Sequence, residues 1–294
     1  MSNSKLHKAK KEKNDEFYTQ YVDIEKELQH YNIEGKTIYC NCDNPHYSNF
    51  YKYFKDKFNT HKIKHLYCTG YNKDGNGYYA EYNGTEETIK TLNGNGSFDS
   101  DECKQIMQEC DIVITNPPFS LFRDYVKQLM DYNKQFLIIG NKNAITYKEI
   151  FPYIKNDMLW LGITTPDEYR LPNGEITQSV KGLCRWFTNI PHNKRNEELD
   201  LYRTYNEQDY PKYDNYDAIE VSKVADIPMD YDGVMGVPIT FLDKYCPSQF
   251  EIVGWSRHND LDMDGGYWLG GCNDATINGK LVYRRILIKR LPAN

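Results

Sequence analysis

The chain has 294 residues, 39% hydrophobic and 27% charged, which excludes a disordered polymer and suits one large or two modest globular domains. Its 36 Lys and Arg against 42 Asp and Glu leave a net charge of −6, which excludes a uniformly basic nucleic-acid binder while leaving local clusters open. No run approaches the ~18 apolar residues of a membrane span and the first residues hold no apolar signal core, so a cytoplasmic protein is expected.

Along the chain, Lys5, Lys8, Lys10, Lys11 and Lys13 make 1–14 a basic, flexible tail. Ile24, Leu28 and Tyr31 have helical spacing, which predicts a helix over 20–31. A buried strand follows over 37–41, ended by Pro45, and Phe50, Phe54 and Phe58 mark the inner face of the next helix. A second strand fits 63–68. The Gly- and Asn-rich stretch 70–98 reads as loop with one short strand over 78–82. A helix from Ser100 presents Cys103, Ile106, Met107 and Cys110 on one side, and the apolar strand 111–115 runs into Asn116-Pro117-Pro118-Phe119. A helix with Phe122, Val126 and Leu129, a strand over 135–140 and a helix over 147–154 complete the alternation. Strands alternating with helices predict an α/β fold with a mostly parallel, doubly wound sheet, up to about residue 165. Beyond that, strand-like pieces at 181–188, 236–242, 250–255 and 281–289 are separated by long tyrosine-rich loops.

The eight cysteines form no CxxC pair, which points to reduced thiols and no structural metal.

The segment with chemistry in it is Asn116-Pro117-Pro118-Phe119. In an open α/β sheet, ligands bind beyond the carboxyl ends of the strands. There, Asn116 and the Pro117 carbonyl offer two fixed acceptors, since each proline sets φ and removes a competing N–H. Two acceptors suit an exocyclic NH₂ group; held so, its lone pair turns out of conjugation toward an electrophile. Phe119 offers an apolar face for a flat ring.

Asn-Pro-Pro-Phe is also the motif of S-adenosylmethionine-dependent enzymes that modify adenine N6. Further strings carry the likeness: Asp15-Glu16-Phe17-Tyr18-Thr19-Gln20, Tyr39-Cys40-Asn41-Cys42-Asp43, the run 139–150 from Ile-Gly-Asn-Lys-Asn to Lys-Glu-Ile, Arg185-Trp186-Phe187-Thr188-Asn189 and 236–245. Together they resemble the EcoRI-type adenine-specific DNA methyltransferase family over nearly the whole chain. The resemblance implies a Rossmann-like core over 15–165 that binds S-adenosylmethionine, and remaining core strands plus a DNA target-recognition region over 166–294. It implies cofactor contacts at Phe17, Tyr18, Thr19, Asn41, Asp43, Pro45, Ser97 and Phe98, and an aromatic wall for a flipped adenine at Trp186 or Phe187. Duplex contacts are expected from His192, Lys194, Arg195 and Arg203 with their interleaved tyrosines, and from the N-terminal lysines.

Two departures from the family pattern stand out. No Gly-rich run follows Asp43, and Ser97-Phe98 lacks the usual acid before the Phe; no ribose-binding acid follows 63–68 either. The reaction implied is site-specific adenine-N6 methylation of double-stranded DNA, of restriction–modification, orphan or mobile-element type, by a monomer with any endonuclease partner acting separately. The competing readings are an RNA adenine methyltransferase and a DNA-binding relative impaired in catalysis.

Overall fold

A computed structural model describes residues 18–167, 169–170, 176–177, 182–258 and 263–292. The basic tail 1–14, its lysines, Phe17 and the start of the expected strand at Lys181 lie outside the described residues. The chain divides into two compact units, one of residues up to Ile150 with Leu161–Ile190, the other of Phe151–Trp160 with Pro191 onward. The described residues of 161–190 cluster with the first unit.

The first unit is built on a sheet whose centre is four parallel strands, β2 (Thr37–Cys40), β3 (His65–Gly70), β6 (Ile112–Thr115) and β7 (Gln135–Asn141). Two antiparallel strands extend it on one side, β4 (Tyr78–Tyr82) and β5 (Glu87–Thr91), and β11 (Cys184–Thr188) and β8 (Trp160–Leu161) extend it on the other. The strand order is β5-β4-β3-β2-β6-β7-β11-β8. The sheet is thus mixed rather than mostly parallel: its middle is parallel and its flanks are not. All five β5 side chains are exposed, which is why no apolar alternation announced that strand.

Both faces of the parallel strands are buried. Ile24 and Leu28 of α1 (Tyr21–Leu28) and Phe50 and Phe54 of α2 (Asn49–Asp56) pack with Ile38, Cys40, Ile112, Ile114, Leu137, Ile139 and Trp186. On the other face, Cys103 of α3 (Asp101–Glu109) meets Tyr79, and Phe122 of α4 (Phe122–Asp131) lies 5.0 Å from Phe187. Glu27, fully buried in α1, is satisfied by Tyr31 Oη at 2.6 Å, by the Ile163 and Thr164 amides at 2.8 and 2.6 Å, and by the Thr164 hydroxyl. Three short strands, β1 (Tyr18–Thr19), β9 (Tyr169–Arg170) and β10 (Ile176–Thr177), form a separate antiparallel ribbon.

Trp186 is 0% exposed and meets Phe50 edge-on at 6.1 Å. We expect Trp186→Ala to cost about 3–5 kcal/mol of stability, read as a lowered midpoint of urea unfolding at unchanged slope. Trp186→Phe should cost well under that, because the indole Nε1 is buried without a hydrogen-bond partner among the described residues.

In the second unit, β12 (Ile219–Glu220), β13 (Met235–Val237), β14 (Phe250–Trp255) and β17 (Ile286–Arg290) form a four-stranded sheet in the order β12-β13-β17-β14. Phe151 of the short helix α5 (Phe151–Lys155) stacks on Trp255 at 5.8 Å. The helix expected over 147–154 is only this one; before it runs a 3-10 turn, Lys142–Thr146. The strand expected over 281–289 is broken: β15 (Thr276–Ile277) and β16 (Lys280–Leu281) form a hairpin around Asn278-Gly279, and β17 begins afresh. Of the expected strand 236–242 only 236–237 is extended, as the end of β13, and Ile239–Lys244 is a 3-10 turn. No described helix is long and apolar enough to cross a membrane.

All eight cysteines are free; six are buried, and Cys272 is exposed. Burial pushes the Cys40 and Cys68 thiols well above their ordinary range and Cys110 up to about 12, so these three are neutral packing groups. Cys42 does not share a strand with Cys40: it lies past the end of β2 in the left-handed region, at φ 64°.

Candidate active site

Chain order reverses between β2 and β6, with β3 on one side and β7 on the other, and such a switch point opens a crevice beyond the strand ends. The left-handed Cys42 turns the chain there, and the Asp43 amide donates to the Thr69 carbonyl at 2.8 Å. Ser48, which caps α2 by accepting from the Tyr51 amide, donates its hydroxyl to Asp43 Oδ1 at 2.7 Å. Thr115, the last residue of β6, brings its hydroxyl to 2.6 Å from Asp43 Oδ2 and also meets the Asn41 carbonyl. One carboxylate is thus fixed from both sides of the crevice. Behind it, the Tyr39 hydroxyl donates to Thr69, and Thr69 donates to Asn41 Oδ1 at 3.1 Å. Asn41, an expected cofactor contact, is fully buried and is not among the residues that line the cavity, so its amide Nδ2, without a partner among the described residues, lies behind the wall instead of facing a ligand.

The missing Gly-rich loop has a substitute assembled from three places. A Cβ on Gly77 would stand 2.5 Å from Gly96 Cα, one on Gly96 2.3 Å from the Gly70 carbonyl, and one on Gly70 2.9 Å from Asn44 Cα. Backbone therefore lies directly on backbone beside Asp43, and Gly96 also needs its φ of +76°.

After Thr115, Asn116 donates from Nδ2 to the Thr19 hydroxyl at 3.3 Å, and the Thr19 carbonyl in turn accepts from Asn49 Nδ2 at 2.8 Å. This assigns the amide nitrogen to Thr19 and the acceptor role to Oδ1. Asn116, Pro117 and Pro118 line one cavity of about 440 Å³ together with Thr19, Asp43 and Asn44. Ser97, Phe98 and Tyr71 line it as well, and among the described residues Asp43 is the one charged group in the lining. That volume and composition suit a nucleoside-sized ligand bearing an amine. Phe98 is held edge-on to Tyr125 at 5.0 Å, and the Ser97 hydroxyl donates to Asp99. Tyr71 and Tyr47, both among the lining residues, are 50% and 56% exposed.

Several expected residues sit elsewhere. Phe119 does not line the cavity: it starts a 3-10 turn, Phe119–Leu121, and packs against the core. Pro45 is not in the lining either. Trp186 and Phe187 are both fully buried, because β11 is an interior strand covered on both faces, so neither presents a wall to a base. In the second unit, His192 is buried, Arg195 is paired with Asp157 and lies 3.8 Å from the Trp160 ring centroid, and Arg203 faces Asp226 at 3.4 Å. Lys194 sits half-buried in a 3-10 turn, Asn193–Asn196. Tyr18 contributes backbone pairing to β1.

The structure adds residues the sequence reading passed over. Ser48, Thr115, Tyr71 and the glycine trio all shape the cavity. Only Ser48 carried a local signal, as the cap of a helix three residues past Pro45. Among the described residues no group of three His, Cys, Asp or Glu is arranged to hold a metal ion.

A family model described as "Adenine-specific methyltransferase EcoRI" matches residues 5–291. The chain is 45% identical to the type II methyltransferase M.EcoRI of Escherichia coli, across 98% of this chain and 97% of that protein. It is 38% identical to M.MpnI of Mycoplasma pneumoniae and 37% to M.MgeORF184P of Mycoplasma genitalium, each across 97% of this chain and 98% of the relative. No solved structure matches it.

Proposed function

Because this chain belongs to the EcoRI family of adenine-specific methyltransferases, we propose that its first unit is a Rossmann-like core with S-adenosylmethionine in the cavity at Asp43. Asn116-Pro117 then meets the amine of an adenine turned out of duplex DNA. The reaction is type II methylation of DNA adenine. One observation carries the site assignment: a single anchored carboxylate and the Asn-Pro-Pro edge line the same cavity at the switch point of the sheet.

Bound S-adenosylmethionine supplies a methyl group on a sulfonium, an electrophile that needs no activating base. Asp43, held by Ser48 and Thr115 at the cavity wall, would receive the ammonium of its methionine end. Phe98 and Tyr71 would give the purine apolar faces. Asn116 Oδ1 and the Pro117 carbonyl accept the two N6 hydrogens on a backbone that two prolines hold rigid. As the N6 lone pair takes the methyl group and the sulfonium's bonding electrons stay on sulfur, Asn116 and Pro117 would hold the amine in line, and the extra N6 proton would pass to solvent. Extruding the base costs a few kcal/mol, which contacts along the strand offset. Phe119 in this account stiffens the turn instead of stacking on the base. The second unit supplies target recognition. One copy of the chain suffices, since the two strands of a site can be methylated in separate encounters, and an endonuclease partner would act separately.

The test offers S-adenosylmethionine with a labelled methyl group alongside mixed-sequence duplex DNA, single-stranded DNA and RNA. Label should enter duplex DNA at least tenfold faster than either alternative. Preferential labelling of RNA would move the assignment to an RNA adenine methyltransferase, and no labelling anywhere to an impaired DNA-binding relative.

A further inference from the structure

The string 139–150, part of the family likeness but without a role so far, lies against the site. β7 runs parallel to β6 with Thr115 level with Ile138. β6 ends there, so Asn116-Pro117 and Ile139–Asn141 continue from neighbouring strands at the same edge of the sheet. Directly after Asn141 the chain enters the Lys142–Thr146 turn, which is rigid by construction. Asn141 Oδ1 accepts from the Asn143 amide at 2.8 Å, the Thr146 hydroxyl donates to the Asn143 carbonyl at 2.9 Å, and the Lys142 amide donates to the Leu183 carbonyl at 2.6 Å. Ala144 and Ile145 are buried and anchor it.

What this turn leaves outward is basic. Asn143 and Lys148 are exposed, Lys142 is half-buried, and neither ammonium has an acid partner among the described residues. The one acid of the segment, Glu149, is matched by Arg123 at 3.3 Å, and Arg123 lies over Tyr147 at 4.2 Å. A cation cluster beside the residues that hold an extruded base faces an obligatory anion, because one sugar tethers that base to its own phosphates.

We propose that Lys142 and Lys148 bind the phosphates flanking the extruded adenine. This rests on the function proposed above. The contacts are electrostatic and carry no sequence information, so they position the strand while the second unit reads the site.

The test compares the full-length protein with Lys142→Gln, Lys148→Gln and the double variant on mixed-sequence duplex DNA. Each lost phosphate contact should lower the slope of log affinity against log salt by about 0.9, so ~1.8 for the double variant, with a higher KM for DNA. S-adenosylmethionine binding by calorimetry should stay at the wild-type value. An unchanged slope and KM in the double variant, with an active wild type, would overturn the phosphate assignment alone. Loss of S-adenosylmethionine binding would overturn it too, since the turn would then shape the cofactor cavity. A wild type that transfers no methyl group to duplex DNA would overturn the underlying function before any variant is compared.

Discussion

Asn116→Ala is expected to lower the rate of methyl transfer to duplex DNA by about 10²–10³-fold, with S-adenosylmethionine binding near wild type. The amide oxygen acts on the reacting nitrogen, and removing one group positioned on developing charge typically costs that much. The neighbouring Pro117 carbonyl survives the substitution, so one of two acceptors remains and a residual rate should be measurable. Because Asn116 Nδ2 also ties to Thr19, the variant loses a link between the first short strand and the β6 end. Single-turnover kinetics at saturating cofactor separates these: a slowed chemical step supports the acceptor role, whereas a weakened KM for S-adenosylmethionine at full rate would assign Asn116 to cofactor binding.

The second large effect is expected at Asp43, where the outcome should fall on binding instead of rate. Asp43→Asn keeps the side-chain volume and still accepts from one hydroxyl, but removes the one charge in the lining among the described residues. A lost charge-assisted hydrogen bond is worth about 1.5–3 kcal/mol, so calorimetry should show S-adenosylmethionine binding weakened roughly 10–100-fold. With cofactor raised to saturation, kcat should return to within a few-fold of wild type. Asp43→Ala should be worse, since Ser48 and Thr115 then lose a shared acceptor and the link between α2 and the β6 end goes with it. Equal binding by wild type and Asp43→Asn would remove the ammonium assignment.

How much of this was legible in the sequence follows from which physical rule each residue obeys. The Asn116-Pro117-Pro118 edge was readable because an apolar run announces a buried strand and two prolines announce its rigid end. The sheet's parallel centre was readable from strand–helix alternation for the same reason. Phe119 was not: sequence gives its polarity, but the 3-10 turn decides its direction, and the turn sends the ring to the core. Trp186 and Phe187 misled because alternation sorts neighbours into inside and outside only when one face of a sheet meets water; β11 has helices over one side and over the other. The basic segment around Arg195 reads as a phosphate surface until Asp157 is seen opposite, 38 residues earlier in the chain. Gly70, Gly77 and Gly96 are unremarkable separately, and their function exists only once three segments meet. Asn278-Gly279 is a strong hairpin signal, with φ of 50° and 73°, hidden inside a run that also has strand character.

On the proposed mechanism, the Asn116-Pro117 edge selects an exocyclic amine of adenine. The most direct measurement digests duplex DNA, methylated by wild type and by Asn116→Ala, to nucleosides and identifies the methylated species by mass and retention. The account requires N6-methyladenine as the sole product of the wild type, with its yield falling steeply in the variant. Methyl groups on a ring nitrogen of adenine or on cytosine carbon, or N6-methyladenine formed equally well without the Asn116 amide, would contradict it.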